Sequence, residues 1–140
     1  MLDNDRLTLS RVRLDNAKVD LQTASENLEA GRYKAANNRA YYAIFHAIRA
    51  LLALDGVDFT KHSTAIGYFN KNYINTGVIE RLFSSIIKGA SKSRNNSDYD
   101  DFYEASYDEA EKNVIGAGEL ISAIQNVIDE KIEELNKTTS

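Results

Sequence analysis

YKAANNRAYYAIFHAIRALLAL, residues 33–54, is a run of residues whose apolar side chains recur at helical spacing and which Asp55-Gly56 closes. Larger apolar residues beside a row of alanines extend the apolar arc to roughly 220° of the helix circumference. A helix that is apolar over so wide an arc is predicted to be the central, most buried element. The alanines, at 4,3,4,3 spacing, are Ala36, Ala40, Ala43, Ala47 and Ala50, and the larger residues are Tyr41, Ile44, Phe45, Ile48, Leu51 and Leu52.

The rest of the chain predicts further long helices around this one. Apolar residues at 3,4 spacing indicate helices over about 4–30, 61–72, 78–95 and 107–135. Residues 91–107 break the apolar rhythm but contain aromatic side chains, so they are expected to form an ordered loop. The sequence therefore predicts an all-α fold, an antiparallel up-and-down bundle of four to five helices, as a single domain over residues 1–140.

Composition narrows the class of protein. Hydrophobic residues make up 43% of the 140 residues and charged residues 27%, as in soluble globular proteins. The absence of Cys excludes disulfides, thiolate nucleophiles and Cys-ligated zinc, and it fits a cytoplasmic location. No segment approaches the ~18 apolar residues of a membrane-spanning helix, and the N-terminus lacks a signal-peptide pattern. We therefore expect a cytoplasmic protein without a membrane segment.

Four polar side chains occupy the remaining wedge of the 33–54 helix and form one line at 3,4,3 spacing. Arg39 and His46 are ~10.5 Å apart along the helix axis. A guanidinium can hold a phosphate while an imidazole transfers protons, so this pair is one catalytic candidate. In the structural alternative, His46 is hydrogen-bonded and Arg39 pairs with an acid on a neighbouring helix. The line consists of Arg39, Tyr42, His46 and Arg49.

The formal net charge of −4 conceals an uneven distribution. Residues 32–94 hold ten Lys or Arg and three acidic residues, whereas the two ends are strongly acidic. The positive middle is expected either to attract phosphate groups or to pair with the acidic ends.

Three ordered motifs carry a resemblance to a known family. Residues 39–46 read R-A-Y-Y-A-x-F-H, residues 61–69 begin with Lys-His-Ser and end with Tyr-Phe, and residues 94–99 read R-N-x-x-D-Y. Together they resemble small standalone members of the HEPN domain family. This resemblance implies a helical bundle that dimerises, either an RNase or a module encoded beside a small nucleotidyltransferase, as in toxin–antitoxin pairs.

The resemblance also implies a catalytic pattern that this chain does not complete. Family RNases use Arg followed, after four to six residues, by His. In the toxin branch the pattern R-N-x-x-x-H-x-Y, placed on Arg94-Asn95, requires His at 99 and Tyr at 101, where this chain has Tyr99 and Asp101. No imidazole is therefore available at that position for proton transfer.

Residues 94–99 have two interpretations. In the structural one, Arg94 pairs with Asp98 while the Tyr99 ring packs into the end of the bundle. In the functional one, Arg94 contacts a phosphate or nucleotide together with Lys88 and Lys92. His62, just inside a predicted helix, has three interpretations: a helix cap, a ligand contact or an ordinary surface histidine, of which the last is the commonest.

We predict a homodimeric binding or partner module for a small nucleotidyltransferase or for a nucleotide or RNA ligand, with no metal and no cofactor. The chain has no nucleotidyltransferase G-S-x-D-x-D pattern, so that chemistry would belong to a separate partner. The alternative is a metal-independent RNase whose site crosses the dimer axis and uses Arg39, His46 or Arg94. The ligand-binding candidates are Arg39, Tyr42, His46, Arg49, Arg94, Asp98 and Tyr99.

Overall fold

The computed structural model describes residues 4–138, which form an all-α antiparallel bundle, as predicted. No helix in this range is long and apolar enough to cross a membrane. A single π-helical turn, Asn70–Ile74, continues the third helix. The helices are α1 (Asn4–Glu29), α2 (Tyr33–Leu54), α3 (His62–Phe69), α4 (Leu82–Tyr99) and α5 (Tyr107–Thr138).

The α2 helix lies at the centre and packs against all four other helices. Gly31 has φ +77, a left-handed conformation that lets the chain reverse between α1 and α2. All five alanines of the predicted row are fully buried, and so are Ile44, Ile48 and Leu51. The prediction that this helix is the most buried element is confirmed, and its one polar wedge is the place where a site can form.

The α4 helix continues through residues 91–99, so the prediction that these residues form a loop is wrong. The loop between α4 and α5 is confined to residues 100–106. The 3,4 rhythm persists past Ala90, but it passes through serines: Ser93 is buried and donates to Glu109 (2.8 Å), and Ser97 accepts from Asn37 (3.2 Å). A pattern of apolar residues alone misses a helix face that is buried through hydrogen-bonded serines.

Asp55, directly after α2, connects several helices at the end of the bundle where α2 ends. Its carboxylate accepts hydrogen bonds from the hydroxyls of Tyr73 and Tyr68 and from Lys131 (3.1 Å). Burial and the neighbouring Asp55 carboxylate both raise the pKa of Tyr73, so its hydroxyl remains a donor. This cluster joins α2 to the π-helical turn and to α5.

Candidate functional site

The polar line predicted on α2 exists, and part of it is tied to α1. Arg39, Tyr42, His46 and Arg49 are each partly exposed on one side of α2. The Asp20 carboxylate contacts Arg39 at 3.3 Å and His46 Nε2 at 3.4 Å. The structural alternative for this pair is therefore present in the structure, and one acid on α1 links both side chains.

Arg49, at the other end of the line, is held by the loop after α2. Its guanidinium donates to Asp58 at 2.7 Å, and Arg13 donates to the same carboxylate at 3.1 Å. The hydrogen bond from Arg49 is the main reason why the pKa of Asp58 lies below its usual value. Arg49 is thus more firmly engaged than Arg39.

Arg94 approaches this line from α4. Its side chain is 11% exposed, and its guanidinium lies over the Tyr41 ring at 4.7 Å and near the Tyr42 ring at 5.8 Å. Arg39 lies 5.0 Å from that same Tyr42 ring. Two guanidinium groups from different helices therefore share one aromatic ring, an arrangement that cation–π attraction stabilises.

His62, at the first position of α3, belongs to the site, although the sequence analysis favoured an ordinary surface histidine and left it out of the ligand-binding candidates. Its ring centroid is 4.0 Å from that of Phe45, its Nδ1 is 2.9 Å from the Tyr41 hydroxyl, and the same Nδ1 is 3.5 Å from an Arg94 nitrogen. The one signal in the sequence was its place in the Lys-His-Ser motif. The structure thus brings a histidine beside Arg94, although none follows Arg94 along α4.

The protonation of both histidines follows from their surroundings. Burial, reinforced for each by nearby arginines, lowers the pKa of His46 and of His62 below its usual value of about 6.5. Because Arg94 can only donate, its contact at 3.5 Å favours the tautomer in which His62 Nδ1 accepts and the ring proton is on Nε2. In this tautomer, neutral His62 presents an N–H donor at Nε2.

The predicted structural clasp is present in part. Arg94 and Asp98 form an ion pair at 3.9 Å, and the Asp98 carboxylate also accepts from Asn38 at 2.9 Å. The prediction that Tyr99 packs into the end of the bundle is wrong, because its ring is 76% exposed while its hydroxyl is 3.5 Å from Arg94. Tyr99 lies on the surface beside Arg94.

These side chains form one continuous region, which we call the cationic aromatic surface. Among residues 4–138 no three His, Cys, Asp or Glu side chains are grouped so that they could hold a metal ion. Cationic donors beside exposed aromatic rings can contact phosphates and stack bases. The surface comprises Arg39, Tyr42, His46, Arg49, His62, Arg94 and Tyr99.

Comparison with known proteins gives relatives that are named as putative toxins and relatives that are named as UPF0332 proteins. A protein of Methanocaldococcus jannaschii named "Putative toxin MJ0605" is 32% identical over 117 residues, covering 79% of this chain and 87% of that protein. "UPF0332 protein PH1297" of Pyrococcus horikoshii is 41% identical over 68 residues, so the match spans about half of each chain.

The fold is shared with a solved structure, that of TT1696 from Thermus thermophilus. Its TM-score is 0.71 at 20% sequence identity, and the likeness covers 84% of this chain and 96% of that one. Residues 10–132, which include every residue of the cationic aromatic surface, match the family described as HEPN domain. This chain belongs to the HEPN domain family.

Proposed function

We propose that the chain is a HEPN binding module whose cationic aromatic surface holds the phosphates and bases of a nucleotide or RNA ligand, as a homodimer working beside a small nucleotidyltransferase. The observation that carries this proposal is the meeting of Arg94, His62 and Tyr42 from three helices at one half-buried position. Relatives named as putative toxins support a toxin–antitoxin context.

The chemistry of the surface suits an anionic ligand with flat rings. Arg94 supplies a planar guanidinium that can contact phosphate oxygens, and His62 Nε2–H supplies a neutral donor beside it. The Tyr99 ring, 76% exposed, is available for stacking against a base. Arg39 adds a second positive charge 5.0 Å from Tyr42.

Binding of a fluorescein-labelled single-stranded RNA dodecamer, followed by fluorescence anisotropy, tests the proposal. Arg94→Ala should weaken binding at least about tenfold and reduce the dependence of affinity on salt, because one phosphate contact is lost. Arg81→Ala is the matched control, since Arg81 is exposed immediately before α4. Equal affinities of these two variants, each with a native circular dichroism spectrum, would rule out this surface as the binding site.

The second candidate function is the metal-independent RNase. The contact between His62 and Arg94 favours the RNase. This contact places an imidazole next to an arginine, although the chain lacks the histidine that the family pattern requires at position 99. Cleavage of the same RNA in the presence of EDTA, compared among wild type, His62→Ala, His46→Ala and Arg94→Ala, separates the two functions. Cleavage abolished by His62→Ala in a folded protein would identify an enzyme, whereas a module gives no cleavage above buffer.

A further inference from the structure

A cavity lies between α3 and α4, the two helices that supply His62 and Arg94 to the cationic aromatic surface. It has a volume of about 480 Å³, and its walls include Ile66, Ile87 and Gly67. Ile87 is buried, and a side chain added at Gly67 would meet no atom within 4 Å, so the cavity has an apolar floor and open space next to it. These dimensions and this floor suit a flat ring.

The charges around the cavity have one sign. Lys88 and Lys92 line it together with serine and asparagine side chains, and no acidic residue lines it. Within residues 4–138 neither lysine makes an ion pair. By contrast, Asp55, Glu130 and Glu134 line the cavity near the opposite end of the bundle. The cavity between α3 and α4 therefore favours a ligand that carries negative charge.

The cavity and the site already described are built from the same two helices. Ser63 in the cavity wall directly follows His62 on α3, and Asn95 directly follows Arg94 on α4. Along α4, Lys88 lies six residues before Arg94, about 9 Å along the helix axis. On both helices the cavity therefore begins within one residue of the site.

We infer that the cavity between α3 and α4 is a nucleotide subsite, in which a base lies on Ile66 and Ile87 and its phosphate contacts Lys88. This inference deepens the proposed function and rests on it, because the same ligand extends from Arg94 into the cavity. The nucleotide is either free or one residue of a single RNA strand. The chemistry of the pocket is the same in both cases, and the two sources are separated by the probe.

Two helical glycines provide a matched test. Gly67→Leu fills the cavity between α3 and α4, whereas Gly89→Leu fills a different cavity, between α4 and α5. Neither added side chain has an atom within 4 Å of its Cβ, so both variants should fold. Lys88→Ala and Lys112→Ala form a second pair, because Lys112 lines the α4–α5 cavity and does not line the cavity between α3 and α4.

Affinities for 5′-AMP and for the single-stranded RNA dodecamer are measured by calorimetry and anisotropy. We expect Gly67→Leu to weaken RNA binding at least about fivefold, as loss of one stacked base does, while Gly89→Leu leaves it unchanged. If wild type binds 5′-AMP and Gly67→Leu weakens this binding too, the pocket accepts free nucleotides. If only the RNA binds and only its affinity falls, the pocket takes a residue of the strand.

The two proposals fail in different ways. If Gly67→Leu matches Gly89→Leu and Lys88→Ala matches Lys112→Ala for both probes, the subsite is overturned. Should Arg94→Ala still weaken RNA binding in that case, the proposed function stands without the subsite. Loss of binding in Gly67→Leu but not in Arg94→Ala would overturn the role of the cationic aromatic surface and, with it, the inference that one ligand extends from Arg94 into the cavity.

Discussion

Asp20→Asn should increase the affinity of the protein for RNA. In the wild type, the Asp20 carboxylate contacts both Arg39 and His46, so it neutralises part of the positive charge that a phosphate would meet. The substitution keeps the size and polarity of the side chain and removes only its charge. A purely structural role for this cluster predicts no gain in binding.

The magnitude follows from the distances. The carboxylate is 3.3 Å from Arg39, and a phosphate on the far side of that guanidinium would be about 7 Å from the carboxylate. At this separation, repulsion between two unit charges is about 0.6 kcal/mol in water and twice that at half the dielectric constant. Removing it should strengthen binding roughly three- to sevenfold at low salt. The lost contacts should lower the free energy of unfolding by only about 0.5 kcal/mol, because Arg39 is partly exposed.

The assay is anisotropy with the RNA dodecamer at about 50 mM and 300 mM salt. Asp15→Asn is the control, because Asp15 is an exposed acid on the same helix. The gain of Asp20→Asn over this control should shrink at high salt, as screening shortens the range of the repulsion. In the same variant, the pKa of His46 measured by NMR should fall further, since the Asp20 charge raises it in the wild type. Equal affinities of the two variants at low salt would refute the reasoning.

Three further predictions concern stability and assembly. Tyr73→Phe should lower the free energy of unfolding by about 1–2 kcal/mol, because Asp55 loses a buried donor, whereas the exposed Tyr107→Phe should change urea unfolding little. Burial lowers the folded-state pKa of His46, so the contribution of neutral His46 to stability is complete above about pH 6.5 and is lost as pH falls below that value. The protein with His46→Gln should therefore lose less stability between pH 7.5 and 5.5 than the wild type. An equal loss in the two proteins would contradict this. Light scattering should give twice the 15.7 kDa of one chain, and a stable monomer at micromolar concentration would remove the dimer from the proposal.

The fold was largely predictable because the pattern of apolar residues in α2 indicates that this helix is buried. Its apolar side chains cover most of the helix circumference, and only a central position in a bundle buries such a helix. The end of α4 was not predictable in the same way, since its inner face consists of the buried Ser93 and the half-buried Ser97, which are hydrogen-bonded to Glu109 and Asn37 respectively. Such partners are far apart in sequence, and periodicity contains no information about them.

The site was predictable only where its residues share one helix. Arg39, Tyr42 and His46 recur on one face of α2, so their proximity follows from helix geometry alone. The contact between His62 and Arg94 depends on how α3 and α4 pack around α2. The distance between these two side chains cannot be inferred from any spacing in the sequence. Tyr41 illustrates the same limit. Its ring belongs to the apolar stripe as predicted, yet its hydroxyl reaches His62.

The position of the proton on the His62 ring helps to decide between the two candidate functions. With Tyr41 and Arg94 both at Nδ1, the contacts favour the neutral tautomer with its proton on Nε2, which has no free lone pair for taking a proton from a hydroxyl. Its lowered pKa also makes the charged, acidic form scarce at neutral pH. General acid–base work would require Tyr41 and Arg94 to withdraw from the ring, whereas a hydrogen bond from Nε2 to a phosphate oxygen requires no change. The same contacts that place a histidine beside Arg94 therefore favour holding a ligand over cleaving it.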